Sequence, residues 1–521
     1  MRKNNRIKKP NYLLGIATLC LFINYTSCET MNTIIEKDTS YQKKFDAYVQ
    51  KVVDTFNIDF GIGLAVVKDN ELVYENYRGY ANIEKKIPVT PETEFYIASS
   101  TKSFTALAAL RLHEKGKINL DYTLAQYFPE AKFKPEAKAD QVTLRDLLYH
   151  TSGLLNNNIT GYKAYLGGYS LELLTENLIN YTTTNEVGHG NFDYDNLGYN
   201  IIEIIFEKEL GKDWKQIVQS EVLVPLGMTR TSGNISDIQK NNWIGTEPYS
   251  QIDIDGTTQN LKFKKKDDIM HAAGGLISTP RDMAKWLKAQ LNDGLVDGKQ
   301  VFRKGLLPYT HKIRASQDRK MLSLKRFGYG YGWNLATNAS KDTLVHHYGG
   351  FTGTHAEVSF IKRHNTGIAI FANDGDLGFL ISFLLSSYMF DYFAGHENID
   401  ETYDEHLNEY YNLVVSELKD RKQHIEKRKQ RQWQLQLPME AYAGTYYSPS
   451  MGEMRIDYIK NKGFFVRMGH LYTQFPAEPF TDENSIRVEL VPNNGSVIRF
   501  NIENDEVVSL ESGGLLYTKR M

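Results

Sequence analysis

Two apolar runs, Ile62 to Val67 and Leu72 to Tyr77, flank Asp69-Asn70, and strand-forming runs around such a pair predict a β-hairpin. The pattern changes after Ser99. Small residues Ala106, Ala108 and Ala109, with Gly116 as the stop signal, predict a tightly packed central helix that starts at Ser99. From about residue 120 to about residue 320 the chain reads as helix and loop, with amphipathic stretches at Leu171 to Leu178 and Ile201 to Leu210. Strand signals return at Val358 to Ile361 and Ile368 to Phe371, joined by Asn365-Thr366-Gly367. Strands at both ends of this region with helices between them predict an α+β fold, its antiparallel sheet closed by segments distant in sequence.

Past Gly395 the pattern shifts again. Leu407, Tyr411, Val414 and Leu418 follow helical spacing, and a charged run from Lys419 to Arg431 comes after them. Asp420 and Glu426 interrupt the basic residues, so this is a solvated helix face and not a nucleic-acid patch. From Leu437 onward short alternating runs such as Met454-Ile456-Tyr458, Ile486-Val488-Leu490 and Ile498-Phe500-Ile502 are separated by turns like Asn493-Asn494-Gly495. They predict a small antiparallel β-barrel or sandwich. The expected organisation is a leader at 1–28, a mixed domain at 41–395, a charged helical linker at 396–436 and an all-β domain at 437–521.

A length of 521 residues suggests two to four domains, and with a formal net charge of -2 and 24% charged residues nothing in the composition suggests a nucleic-acid binder. The N-terminus has its own character. Arg2, Lys3, Arg6, Lys8 and Lys9 precede an apolar run from Leu13 to Ile23 that is too short to span a bilayer, so export through a secretory signal is expected. Both cysteines, Cys20 and Cys28, lie there, which leaves the rest of the chain no internal disulfide. Tyr25-Thr26-Ser27-Cys28 resembles a bacterial lipobox, with Tyr25 where an aliphatic residue is usual; lipidation of Cys28 and a place in the bacterial cell envelope are the expectation, plain secretion the alternative.

The chemistry centres on Ser99-Ser100-Thr101-Lys102. One helical turn separates the Ser99 hydroxyl from the Lys102 amine, so the two can meet on one face. Taken alone, the same spacing suits a capping serine followed by a surface lysine. Two further segments add weight: Tyr194-Asp195-Asn196, and His347-Tyr348-Gly349-Gly350, read as opening a glycine-rich turn before Val358 and Phe360.

In this order the three resemble the S-x-x-K, Y-x-N and H-x-G elements of the serine β-lactamase and penicillin-binding-protein superfamily, in its class C β-lactamase-like branch. Thr143 to Leu154, Pro225-Leu226-Gly227-Met228, Ala273 to Thr279 and Tyr329-Gly330-Tyr331-Gly332-Trp333 are similar in placement, and the resemblance covers about residues 45 to 390. Ala443-Gly444-Thr445-Tyr446 resembles the opening of lipocalin-like domains appended to this family.

The resemblance implies a serine hydrolase with Ser99 as nucleophile, Lys102 and Tyr194 sharing the proton work, and Asn196 bonding Lys102 and the substrate amide. It implies an oxyanion hole from the backbone N–H groups of Ser99 and Gly350. His347 stands where a lysine is common; a histidine is only partly charged near neutrality, which shifts weight from carboxylate-bearing substrates toward neutral esters or amides. The Pro-Gly usual before the second motif is absent from Val187 to Asn191, so that wall of the site is expected to differ in shape.

No cofactor is expected. His271, His346 and His355 have no recognisable ligand spacing, so no metal is expected either, and His150 and His189 read as loop residues. The substrate class left open is ester, amide, β-lactam or D-amino-acid peptide, and the competing function is a catalytically silent surface protein that binds peptidoglycan or peptide.

Overall fold

The Ile62–Lys68 and Glu71–Arg78 strands form the hairpin expected from the sequence, with Asp69 and Asn70 at φ of 50° and 67° in the turn. In the computed structural model, which describes residues 40–520, this hairpin closes one end of an eight-stranded antiparallel sheet. The expected leader and Cys28 lie outside the described residues.

The closing segments are distant, as the α+β pattern requires. Ile62–Lys68 pairs with Thr366–Ala372 in the register Ile62 to Ala372 and Leu64 to Ile370. Both strands are covered on both faces, which is why they read as unbroken apolar runs. Ile62, Leu64, Val66, Ile368 and Ile370 share one core with the helices Ser40–Phe56 and Asp376–Ala394. Ala65, Val67, Ala369 and Phe371 point the other way, into a core with Phe104 and Trp286, whose rings stack at 4.1 Å.

Two local expectations are corrected. His347 to Gly350 do not open a turn; they lie inside the strand Thr343–Phe351, paired with Thr354–Ile361 through Gly349 to Ala356 and Gly350 to His355. The chain reverses later, at Thr352 and Gly353, where Gly353 takes a φ of +70°. Ser99 does not begin the α-helix either. It sits in a single 3-10 turn, Ala98–Ser100, and the helix Thr101–Glu114 follows.

That helix is buried on nearly every side from Thr101 to Leu110, as its alanines predict. Asp376–Ala394 is, among the described residues, the one helix long and apolar enough to cross a membrane, but it lies between the sheet and its neighbouring helix as a core element.

The expected helix past Gly395 runs from Ile399 to Lys429. Its apolar stripe, Tyr403, Leu407 and Val414, is buried against Asp376–Ala394, with the charged residues of the later turns mostly toward water. Beyond it a nine-stranded antiparallel sheet spans strands from Gly444–Ser448 to Leu515–Lys519, with Tyr446, Ile456, Phe464, Ile486, Phe500 and Leu510 inside. This sheet docks on the helical region: Gly469 lies under Leu166, and His470 bonds Asp268 at 2.7 Å.

Candidate active site

The backbone is strained immediately before the candidate nucleophile. Ala98 adopts a φ of 42°, a region costly for a residue with a Cβ, and this kink between strand and helix carries Ser99 out to the wall of a cavity. Strand Thr343–Phe351 runs alongside so closely that a Cβ on Gly349 would come 1.9 Å from the Ile97 carbonyl oxygen. At Gly350 nothing stands within 4 Å of a Cβ, because that residue faces the cavity. Two adjacent glycines therefore serve different ends: one permits the approach of strand to turn, the other leaves room for a ligand.

Lys102 is fully buried, not a surface lysine. Its Nζ donates to Ser99 Oγ at 3.1 Å, to Asn196 Oδ1 at 2.7 Å and to the Ala273 carbonyl at 2.8 Å. The Tyr194 ring lies 4.8 Å away. Burial pulls the ammonium down to about 7, against a smaller opposing pull from the Asp195 carboxylate. Tyr194 moves the opposite way: burial holds its phenol well above the ordinary value, although a hydrogen bond with Ser99 offsets part of this. At neutral pH the amine can lose its proton far more readily than the phenol.

His347 is buried, and burial together with the nearby Lys102 cation holds it well below the usual histidine range. The expectation of a partly charged imidazole is therefore corrected to a neutral one. Its Nδ1 lies 2.8 Å from the Tyr348 carbonyl, an acceptor only, which assigns the proton to Nδ1 and leaves Nε2 to accept from the Tyr329 hydroxyl at 3.3 Å. The Ser100 hydroxyl bonds the His347 carbonyl at 3.2 Å and so ties the third motif to the first.

The geometry thus brings Ser99, Lys102, Tyr194, Asn196, His347 and Gly350 together around one cavity of about 820 Å³ or in its immediate wall. Sequence reasoning missed several neighbours. His150, read as a loop residue, is buried with its ring 4.5 Å from that of Tyr194 and accepts the Asp195 N–H at 3.3 Å. Arg326 lines the cavity, donates to His346 Nε2 at 3.4 Å and has no carboxylate partner among the described residues. His189 lies 3.4 Å from Asp146 instead of in the cavity. No local signal marks Arg326, because only the strand order brings it to the cavity that holds Ser99. Among the described residues no three His, Cys, Asp or Glu side chains group as a metal site.

A buried lysine in the first turn of a central helix, held against a serine in the turn just before it and beside a glycine-bearing strand, defines the serine hydrolase superfamily in its β-lactamase and penicillin-binding form. The chain belongs to the Beta-lactamase family, whose pattern matches residues 48–379.

Among curated relatives, Protein flp of Staphylococcus aureus (strain NCTC 8325 / PS 47) is 23% identical over 337 residues, 64% of this chain and 63% of that protein. The chain therefore spans less than two thirds of that relative. A putative penicillin-binding protein PbpX of Bacillus subtilis (strain 168) is 25% identical over 320 residues, 61% of this chain and 71% of the other. The octameric penicillin-binding protein homologue from Pyrococcus abyssi shares the fold at a TM-score of 0.54 and 21% identity, over 92% of this chain and 99% of that one. The D-amino acid amidase of Ochrobactrum anthropi SV3 does so at 0.52 and 24%, over 64% and 91%.

Proposed function

We propose that the protein is an exported serine hydrolase that forms an acyl-enzyme at Ser99 on ester, amide or peptide substrates, β-lactams and D-amino-acid derivatives included. The observation that carries this reading is the 3.1 Å contact between Ser99 Oγ and a Lys102 amine brought down to about 7. As Oγ attacks the substrate carbonyl carbon, neutral Lys102 takes the hydroxyl proton, and the carbonyl oxygen gathers negative charge against the backbone N–H groups of Ser99 and Gly350. The proton passes through Tyr194 to the leaving group as its bond to the carbonyl carbon breaks. Water then attacks the ester by the reverse relay, releasing the acid and restoring Ser99. Asn196 holds Lys102 in place through its 2.7 Å bond. The neighbouring fold of a D-amino acid amidase supports including amides of D-amino acids.

The deciding experiment treats the pure protein with a fluorophosphonate and a fluorescent penicillin, followed by peptide mapping. A single adduct on Ser99 is expected, and no adduct with either reagent overturns the hydrolase reading. A panel of β-lactams, D-amino-acid amides, D-Ala-D-Ala peptides and p-nitrophenyl esters then ranks the substrates.

The basic and apolar leader followed by Ser27-Cys28 supports export and a lipid anchor at Cys28 in the bacterial envelope. Cys28→Ser should move the protein from the membrane to the soluble fraction; unchanged partitioning rejects the anchor. The division at 41–395, 396–436 and 437–521 is likewise our reading of the chain.

A further inference from the structure

The helix Ile399–Lys429 does more than lead to the C-terminal sheet. Leu413, Val414, Glu417, Leu418 and Arg421 all line the cavity that holds Ser99. They recur at helical spacings of four and one, a continuous stripe that shares Val414 with the one packed on Asp376–Ala394. Val414 is buried, whereas Leu413 keeps 40% of its surface exposed although it sits in a cavity with apolar partners to hand. Leu322, Leu377 and Leu380 extend the same apolar wall from two other elements.

The charged members of the stripe, Glu417 and Arg421, lie toward the C-terminal end of the helix segment, where this cavity meets a second one of about 740 Å³ below the nine-stranded sheet. Leucines left partly open inside a cavity, and concentrated on one wall, favour an apolar ligand group.

We infer that this helix forms a specificity wall for the substrate, selecting compounds that carry a bulky apolar group near the scissile bond. The inference rests on the hydrolase reading for its consequence, but binding at the wall can be measured without turnover. Burying a methylene there should tighten binding roughly fourfold.

The test uses Ser99→Ala full-length protein and measures dissociation constants of p-nitrophenyl acetate and p-nitrophenyl octanoate by equilibrium dialysis. Octanoate should bind at least about 100-fold tighter than acetate. Adding Leu413→Asp should cut that ratio by at least about tenfold, while Leu413→Met, which keeps the apolar volume, should leave it within about threefold. Melting temperature and circular dichroism check that each variant is folded.

If Leu413→Asp fails to fold, Leu418→Ser is measured in its place with the same expectation. Equal binding of the two esters overturns the inference, and so does a ratio that the polar variants leave unchanged. Fluorophosphonate labelling of the wild type reports separately on the hydrolase reading, so either can fail alone.

Discussion

Lys102 Nζ lies 3.1 Å from Ser99 Oγ, and the other two acceptors it reaches, Asn196 Oδ1 and the Ala273 carbonyl, are neutral. A buried ammonium held by neutral oxygens has its hydrogen bonds but no compensating anion in contact, so the charged form is the costly one. The same three bonds therefore position the amine and prepare it to accept a proton.

Ser99→Ala should abolish adduct formation and turnover and leave the melting temperature within a few degrees. The N-cap of the following helix is Ser100, not Ser99, so no capping bond is lost. Retained labelling at another residue, read by intact mass, would refute the assignment.

Lys102→Ala and Tyr194→Phe should each slow acylation by orders of magnitude. The double variant should lose far less than the product of the two, since groups in one proton relay are not additive. Single-turnover rates measure this, and strict additivity would separate the two roles.

Acylation should gain rate with pH, log kcat/KM rising with unit slope below about 7 and levelling above it as Lys102 becomes neutral. Stability carries the same signature. The folded value of about 7 lies below the ordinary 10.5, so between these pH values the unfolded chain holds a proton that the folded chain lacks, and stability rises with pH across the window. Lys265, half-buried and also brought to about 7 by desolvation, contributes likewise, so Lys102→Met should flatten the slope by about one proton without abolishing it. Urea denaturation at several pH values provides the measurement.

His347→Lys would place a second ammonium near Lys102 and should shift the acylation midpoint below about 7, while raising activity toward carboxylate-bearing esters relative to neutral ones. His347→Gln can still donate to the Tyr348 carbonyl and accept from Tyr329, and should leave the midpoint where it is. A pH profile identical in all three proteins would remove His347 from the electrostatics of the site.

Gly349→Ala forces a methyl against the Ile97 carbonyl oxygen and should destabilise the fold by roughly 1–3 kcal/mol or more while displacing Ser99. Gly350→Ala meets open space, so its melting temperature should stay near that of the wild type and its loss should fall on substrate turnover. Thermal melts and labelling rates on the two variants distinguish these outcomes.

Much of the architecture was legible because it is local. The Asp69-Asn70 turn, the alanines of Thr101–Glu114 and the period-two runs after Leu437 are properties of adjacent residues, and so is the spacing that lets Lys102 reach back to Ser99. The motif order at Ser99, Tyr194 and His347 was likewise written in the chain. Tertiary structure decided the rest. Glycines at 349 and 350 suggest a turn by composition, yet they are strand residues, because the Ile97 carbonyl needs the space at one and the cavity takes the space at the other. The charge of His347 depends on how much water and how near a cation the fold leaves it. His150, Arg326 and Leu413 carry no mark in the sequence, since each acquires its place at the cavity only when strands and helices from distant parts of the chain pack together.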